Sequence, residues 1–235
     1  MPVLITAIGI LVALAAQALF VLFLQNWGGV GVDLGEPVPT GRALLINTAL
    51  VLAFGAVHSL MARPAFKRVW IAARAERGVY LLVSGLTLAG LCHLWQPITE
   101  PVLWSVAPGA GRVAVLAVFF AGLGMLGWAV LSIDPLHFHG WRQATAAQAA
   151  EPPFSVRGPY RIVRHPIQTG LIVALWASPV MTAGHAQLAL LFTAYSVAAT
   201  LLLEERDLRR ALGDTYERYR QRVPALVPWR RGRPD

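Results

Sequence analysis

The sequence contains few charged residues and only one cysteine. Charged residues make up 14% of the 235 positions, whereas a soluble domain carries roughly 25%. Hydrophobic residues make up 56%, so the composition excludes an ordinary soluble domain and indicates a polytopic membrane protein. Because Cys92 has no second cysteine to pair with, an intrachain disulfide is excluded, and we expect a small buried thiol.

Lysine is almost absent as well, and arginine supplies nearly all of the formal net charge of +8. Basic proteins often bind nucleic acid, but here the charge is confined between apolar runs, which favours a membrane protein over a nucleic-acid-binding one. The G-x-G-x-x-G, Walker and G-x-S-x-G motifs of soluble enzymes are also absent. Any chemistry must therefore come from residues at the ends of the apolar runs.

Six apolar runs approach the length of about 20 helical residues that a bilayer core requires. They are Val3–Leu24, Ala43–Met61, Val79–Trp95, Val113–Ile133, Ile167–Met181 and Ala186–Leu203. The first run lacks a basic flank and a clear cleavage site, so we interpret it as a retained span. The short fifth run joins the sixth through Thr182–His185, which predicts a tight turn within a helical hairpin.

We therefore predict a single all-α integral membrane domain over residues 1–235, with about six transmembrane helices. Four spans occupy residues 1–133, and a polar loop, the hairpin and an amphipathic cytoplasmic tail occupy residues 134–235. Three segments hold most of the basic residues: Arg63–Gly78 has five, Asp134–Pro166 has four, and the tail from Glu204 has nine. By the positive-inside rule, this alternation predicts that both termini are cytoplasmic.

The densest polar chemistry lies in "RGPYRIVRHPIQTG", Arg157–Gly170, at the start of the fifth run. Pro166 suits the first turn of a helix, and His165 before it is restricted to extended backbone. The segment thus predicts a rigid hinge that holds Tyr160, Arg164 and His165 beside a helix N-terminus, where an anionic group is favoured. An interfacial anchor of arginine and tyrosine is the alternative interpretation.

Two adjacent carboxylates, Glu204 and Glu205, close the sixth run. They are costly there unless they are paired or bind a cation, because burial and the negative end of the helix dipole disfavour the charged form. Arg206, Arg209 and Arg210 are candidate partners, and a solvated interfacial helix is the alternative interpretation.

Two further groups of polar residues lie near the ends of spans. His58 lies one turn inside the second run, where it needs a polar partner. Asp134, His137 and His139 could suggest a metal site, but no cysteine cluster or H-E-x-x-H spacing supports one, so we predict no metal.

The hinge and the paired glutamates together resemble the isoprenylcysteine carboxyl methyltransferase superfamily of integral membrane methyltransferases. "GPYRIVRHPIQTG" is similar to its Tyr-x-x-x-Arg-His-Pro-x-Tyr-x-Gly motif, and "EERDLRRALGDTYERY" is similar to Glu-Glu-x-x-Leu-x-x-x-x-Gly-x-x-Tyr-x-x-Tyr. "HSLMARPAFKRVW", "ERGVYLLVSGLTLAGLCHLWQPI" and "HFHGWRQ" look like the bacterial methanethiol S-methyltransferase branch and its relative, the NnrU family. The resemblance covers residues 56 to 229.

This resemblance implies S-adenosylmethionine as cofactor, a cofactor-binding loop within residues 134–235, and an apolar substrate that enters from the lipid. It assigns the cofactor pocket to Tyr160, His165, Pro166, Gln168, Gly170, Glu204 and Glu205. One of the two glutamates would bind the amino group of the cofactor. Arg164, Arg206 and His165 become candidate catalytic residues, the arginines favouring a thiolate and the histidine accepting a proton.

Two departures from the family pattern affect the predicted substrate. Gln168 stands where the family has a tyrosine, and it offers hydrogen bonds but no aromatic ring. The isoprenylcysteine enzymes also carry an arginine before the paired glutamates that contacts a substrate carboxylate, whereas this chain reads "AATLLL". We therefore expect a small apolar thiol such as methanethiol as the substrate. The resemblance to bacterial enzymes implies the bacterial inner membrane as the location. Carboxyl or lipid methylation, and a non-catalytic NnrU-like accessory role, remain the alternatives.

Overall fold

The computed structural model describes residues 1–63, 66, 74–146 and 153–229, most of which are helical. The α-helices are α1 (Pro2–Leu24), α2 (Thr40–Ala62), α3 (Glu76–Leu94), α4 (Ala110–Ser132), α5 (Pro135–Phe138), α6 (Trp141–Thr145), α7 (Pro166–Trp176), α8 (Ala183–Ala198), α9 (Glu205–Leu212) and α10 (Asp214–Arg222). A 3₁₀ turn covers Gly158–Arg161, and a π-helical turn at Ala199–Glu204 joins α8 to α9. Two short strands, β1 (Val102–Ser105) and β2 (Val180–Thr182), pair antiparallel.

Within the described ranges, five helical stretches are long and apolar enough to cross a membrane. They are α1, α2, α3, α4 and the continuous stretch Ala183–Leu212, which contains α8 and α9. The chain is therefore an all-α polytopic membrane protein, as its composition indicates. The remaining predicted span corresponds to α7, whose 11 residues extend about 16 Å, roughly half of a bilayer core.

The predicted position of the turn between the fifth and sixth spans is wrong. α7 ends at Trp176 and α8 begins at Ala183, so Gly184 and His185 are already helical. The connection instead runs through Ala177–Thr182 and contains β2. Pro179 accounts for the early end of α7, because proline cannot continue a helix and restricts the residue before it.

The first of two compact units comprises Met1–Ser105, Asp134–Pro152 and Val180–Leu191. In this unit α1 packs closely on α3, at positions where small residues let the two backbones approach. In α2, His58 Nε2 lies 2.8 Å from the Tyr80 hydroxyl oxygen, and His58 Nδ1 lies 3.3 Å from Ser84 Oγ. The predicted need of His58 for a polar partner is thus confirmed.

The loop that contains Asp134, His137 and His139 belongs to the same unit. The Asp134 carboxylate accepts backbone hydrogen bonds at the start of α5 and pairs with Arg142 at 2.5 Å. The backbone N–H of His137 and the Arg142 guanidinium hold the pKa of Asp134 below its ordinary value. His139 Nδ1 lies 2.7 Å from the carbonyl oxygen of Pro135. These contacts account for three of the polar side chains of the loop.

The second unit comprises Val106–Ile133, Pro153–Pro179 and Phe192–Asp235. It contains α4, α7, the end of α8, and the helices α9 and α10. The two units therefore interleave along the chain. All of the polar residues of the hinge and both adjacent glutamates belong to the second unit, so the candidate site lies within that unit.

Candidate active site

The hinge at the start of α7 places Pro166 as its sequence predicts but does not hold His165 in extended backbone. Gly158–Arg161 forms a 3₁₀ turn, and His165, the N-cap of α7, has φ of −124° and ψ of 64°, which is not the extended conformation predicted for it. Pro166 occupies the first position of the helix, as predicted, and its side chain is buried. The fixed φ of proline and its missing N–H suit that position.

Glu205, the first residue of α9, lies at the centre of the site, and its side chain is only 6% exposed. Arg164 donates to Glu205 Oε1 through Nε at 2.9 Å and also through Nη2. His165 Nε2 lies 3.1 Å from the same oxygen, and Arg220 Nη1 lies 3.9 Å from Oε2. Glu205 is therefore the inward-facing glutamate, and an arginine compensates its charge.

The Arg164 side chain also binds the C-terminal tail. Its Nη1 donates to the carbonyl oxygens of Arg220, at 3.1 Å, and Val223, at 2.5 Å. Arg164 is itself buried, so these bonds and those to Glu205 replace the water that its guanidinium loses. One arginine therefore links the hinge, the start of α9 and the end of α10.

The tail after α10 also pairs directly with the start of α7. The hydrogen bonds are Arg164 N–H to Pro224 O (2.8 Å), His165 N–H to Ala225 O (3.1 Å) and Thr169 Oγ1 to Leu226 O (2.8 Å). The tail therefore folds back on the start of α7. These contacts place Ala225–Trp229, which the sequence motifs did not assign to the site, beside Arg164.

A tyrosine core supports the helices that carry these groups. Tyr216, Tyr219 and Val223 form a buried cluster, and the Tyr219 hydroxyl donates to the carbonyl oxygen of Tyr160 at 2.7 Å. Burial raises the pKa of Tyr216 to about 12, so its phenol is neutral at physiological pH. The Tyr-x-x-Tyr part of the motif thus packs α10 against the hinge.

Glu204 has different contacts from its neighbour, and its side chain is 45% exposed. Gln168 Nε2 donates to Glu204 Oε2 at 3.2 Å, and His165 Nδ1 lies 3.7 Å from the same oxygen. Burial, together with the nearby charge of Glu204, raises the pKa of Tyr160 to about 12. His165 therefore lies between two carboxylates, one buried against arginine and one accessible.

The π-helical turn Ala199–Glu204 directly precedes Glu205. Such turns are rare and occur often at functional sites, because the wider turn changes the direction of the side chains that follow. This segment contains no glycine or proline, so nothing in the residue pattern signals the turn. Sequence reasoning therefore missed the feature that sets the directions of Glu204 and Glu205.

A cavity of about 410 Å³ lies beside Glu205. Its polar wall consists of Arg164, Glu205 and Arg220. Its apolar wall consists of Leu201, Ala225, Leu226, Val227 and Trp229. Most of the apolar wall therefore comes from the tail, and the cavity exists because the tail pairs with the hinge.

Gly170 and Arg206 have surroundings that differ from those of the other predicted site residues. Gly170 faces α4, where a Cβ added to Gly122 would lie 2.7 Å from the Gly170 carbonyl oxygen, so close helix packing accounts for both glycines. Arg206 is exposed, and its Nε lies 3.6 Å from Asp207 Oδ1. Of the predicted site residues, Arg164 and Glu205 line the cavity, whereas Tyr160, His165, Pro166, Gln168, Gly170, Glu204 and Arg206 do not.

Several known proteins are similar to this chain along most of its length. Methanethiol S-methyltransferase 2 of Bradyrhizobium diazoefficiens is 40% identical, covering 93% of this chain and 89% of that protein. Methanethiol S-methyltransferase of Mycobacterium tuberculosis is 41% identical, covering 84% and 83%. Nurim of Xenopus laevis is 30% identical, covering 64% and 57%. No family model matches the chain, and no solved structure matches it.

The apolar helices and these relatives together define an integral membrane methyltransferase. The relatives of about 40% identity cover far more of the chain than the hinge and the glutamates alone. The chain belongs to the methanethiol S-methyltransferase family, the branch that its sequence resembles.

Proposed function

We propose that this protein transfers the methyl group of S-adenosylmethionine to methanethiol at the cytoplasmic face of the bacterial inner membrane, with both termini in the cytoplasm. The names of its relatives support the substrate and imply a methyl donor. The observation that carries the site assignment is the contrast between the two adjacent glutamates. Glu205 is buried against Arg164, whereas Glu204 is half-exposed beside a neutral amide.

The chemistry of the Glu204 side fits a cationic cofactor. When bound, S-adenosylmethionine supplies an electrophilic methyl group on a positively charged sulfur and carries a cationic amino group. A cation is held best by a carboxylate whose charge is not already compensated. The Arg164 guanidinium compensates Glu205, so we assign the amino group to Glu204.

Gln168 and His165 hold Glu204 in place. The Gln168 amide donates to Glu204 without adding charge, but it offers no aromatic ring for stacking where the family has a tyrosine. His165 contacts both glutamates through its two ring nitrogens, and we retain it as the candidate acceptor of the thiol proton. Exposed Arg206 leaves the proposed catalytic set, and Gly170 leaves the proposed cofactor set.

The cavity on the Glu205 side fits the acceptor. A free thiol has a pKa of about 8.5 and is mostly protonated at neutral pH, so a nearby cation promotes the reactive thiolate. Arg164 and Arg220 both border the cavity. With the donor held at Glu204 and the thiolate beside the arginines, proximity and the exclusion of water contribute to the rate.

The test uses purified protein, S-adenosylmethionine with a labelled methyl group, and methanethiol. We expect labelled dimethyl sulfide. The Glu204→Gln variant should weaken cofactor binding by about tenfold or more, as loss of a hydrogen bond to a charged group does, with calorimetry as the measurement.

The outcomes separate this proposal from its alternatives. Cofactor affinity that is unchanged in Glu204→Gln would remove this residue from the site. Cofactor binding without methylation of any thiol would favour a carboxyl or lipid methyltransferase. Absence of cofactor binding would favour the accessory role.

A further inference from the structure

The cavity beside Glu205 is much larger than methanethiol. Its volume is about 410 Å³, whereas a molecule of two heavy atoms fills roughly 60 Å³, if each heavy atom takes the roughly 30 Å³ of one liquid water. Cavities of roughly 300–1,000 Å³ typically hold drug-sized ligands. Methanethiol alone would leave most of this volume empty.

The lining of the cavity selects an apolar ligand. Leu201 from the π-helical turn and Leu226, Val227 and Trp229 from the tail supply aliphatic and aromatic surface. Val227 and Trp229 are each 58% exposed, so part of this lining remains accessible. Burying a hydrocarbon chain against these residues is favourable, since each methylene removed from water adds to the affinity.

The charges of the cavity favour a thiolate over the cofactor. Its polar wall contains two cations, Arg164 and Arg220, and one carboxylate, Glu205. Arg220 Nε also lies 3.5 Å from Glu217 Oε1, which is outside the lining. The lining groups alone carry a net charge of +1, which favours an anionic sulfur over a sulfonium cation. The accessible carboxylate for a cation is Glu204, which does not line this cavity.

Building on the proposed function, we propose that this cavity is an acceptor site for apolar thiols with chains of several carbons, which the enzyme methylates in addition to methanethiol. His165, the candidate acceptor, takes the thiol proton and passes it to water as the thiol binds beside the arginines. Its sulfur then forms a bond to the methyl carbon of the donor while the bond between that carbon and the donor sulfur breaks. The products are a methyl thioether, S-adenosylhomocysteine and one proton.

The first test measures kcat/KM of the purified enzyme for methanethiol, propanethiol and hexanethiol. Each KM is expressed as the concentration of thiol that is free in water, so that partition into detergent does not enter the comparison. Each methylene that enters the cavity should raise kcat/KM by about fourfold, the factor expected for burial of one methylene. A flat or falling series, with methanethiol still methylated, overturns the inference and leaves the proposed function intact. Methylation of none of the thiols overturns the proposed function itself.

Neighbouring leucines provide a matched pair of variants. Leu201 lines the cavity, whereas Leu202, which is 67% exposed, does not. Leu201→Trp should lower the ratio of hexanethiol to methanethiol kcat/KM by about fifteenfold, the loss of burial for two methylenes. Leu202→Trp should leave this ratio unchanged. If Leu201→Trp does not fold, Val227→Trp fills the same cavity from the tail.

Calorimetry with S-adenosylmethionine completes the test. Unchanged cofactor affinity in Leu201→Trp supports an acceptor site. A large loss of cofactor affinity in Leu201→Trp, but not in Leu202→Trp, assigns the cavity to the cofactor and overturns the inference. An equal fall in kcat/KM for short and long thiols overturns it as well.

Discussion

The ion pair between Arg164 and Glu205 predicts a strong energetic coupling. In the Arg164→Met variant, the Glu205 carboxylate remains buried without the guanidinium, and the carbonyl oxygens of Arg220 and Val223 lose a donor. Breaking a buried pair by removing one partner costs about 3–5 kcal/mol of unfolding free energy. Glu205→Met should cost a similar amount, because it leaves a buried guanidinium.

The double variant should be much less destabilised than the sum of the two single variants. With both charges replaced by apolar side chains of similar volume, the remaining loss is the donor to two carbonyl oxygens, about 1–3 kcal/mol. A double-mutant cycle over Arg164 and Glu205 should therefore give a coupling energy of about 3 kcal/mol or more. The assay is unfolding of the detergent-solubilised protein by sodium dodecyl sulfate, followed by tryptophan fluorescence.

An exposed ion pair serves as the control for this cycle. Arg142 and Asp134 lie 2.5 Å apart, but solvent reaches both side chains, so their cycle should show little coupling. If the double variant of Arg164 and Glu205 is as unstable as the sum of its singles, Arg164 does not compensate the charge of Glu205. The assignment of the cofactor amino group to Glu204 would then lose its basis.

Two further predictions follow from the same unit. Gly122→Ala should destabilise the protein by about 1–3 kcal/mol, because the added carbon overpacks against Gly170. Gly124→Ala, on the same helix, is the control, because nothing lies within 4 Å of its added carbon. Equal melting temperatures of the two variants would refute the packing argument. Because Tyr160 and Tyr216 have pKa values of about 12, above the ordinary 10, their contribution to stability is complete below pH 10 and falls as the pH rises towards 12. Replacement of both tyrosines by phenylalanine should therefore reduce the loss of unfolding free energy between pH 10 and pH 12. If the phenolate absorbance of the folded protein is already complete near pH 10, the raised pKa values are contradicted.

The helical architecture and the start of α7 were predictable because each depends on local chemistry. Long apolar runs require helices in a membrane, and the rules for proline place Pro166 at a helix start. The same rules applied to Pro179 would also have ended α7 early, but the predicted span ran through that residue. The hydrophobicity of the run extended the predicted helix past the point at which the backbone restriction imposed by Pro179 ends it.

The directions of the two glutamates were not predictable from the sequence. Neighbouring residues on a helix point about 100° apart. A π-helical turn contains more residues than an α-helical turn, so it changes the direction of Glu205 relative to the side chains of the preceding span. The position of the tail was equally hidden, because its backbone pairs with residues some 55 to 60 positions earlier. Long-range backbone pairing of this kind has no periodic pattern that a local motif could reveal.

The proposed function gives a physical reason for two adjacent carboxylates at the end of an apolar helix. One carboxylate could not both compensate Arg164, which holds the tail, and remain available for a cation, because the first interaction uses the charge that the second requires. With two adjacent residues, Glu205 compensates the buried arginine while Glu204 stays accessible beside Gln168. In the proposed function, Glu205 serves the folding of the site and Glu204 serves the binding of the cofactor, so loss of Glu205 should lower stability whereas loss of Glu204 should lower cofactor affinity.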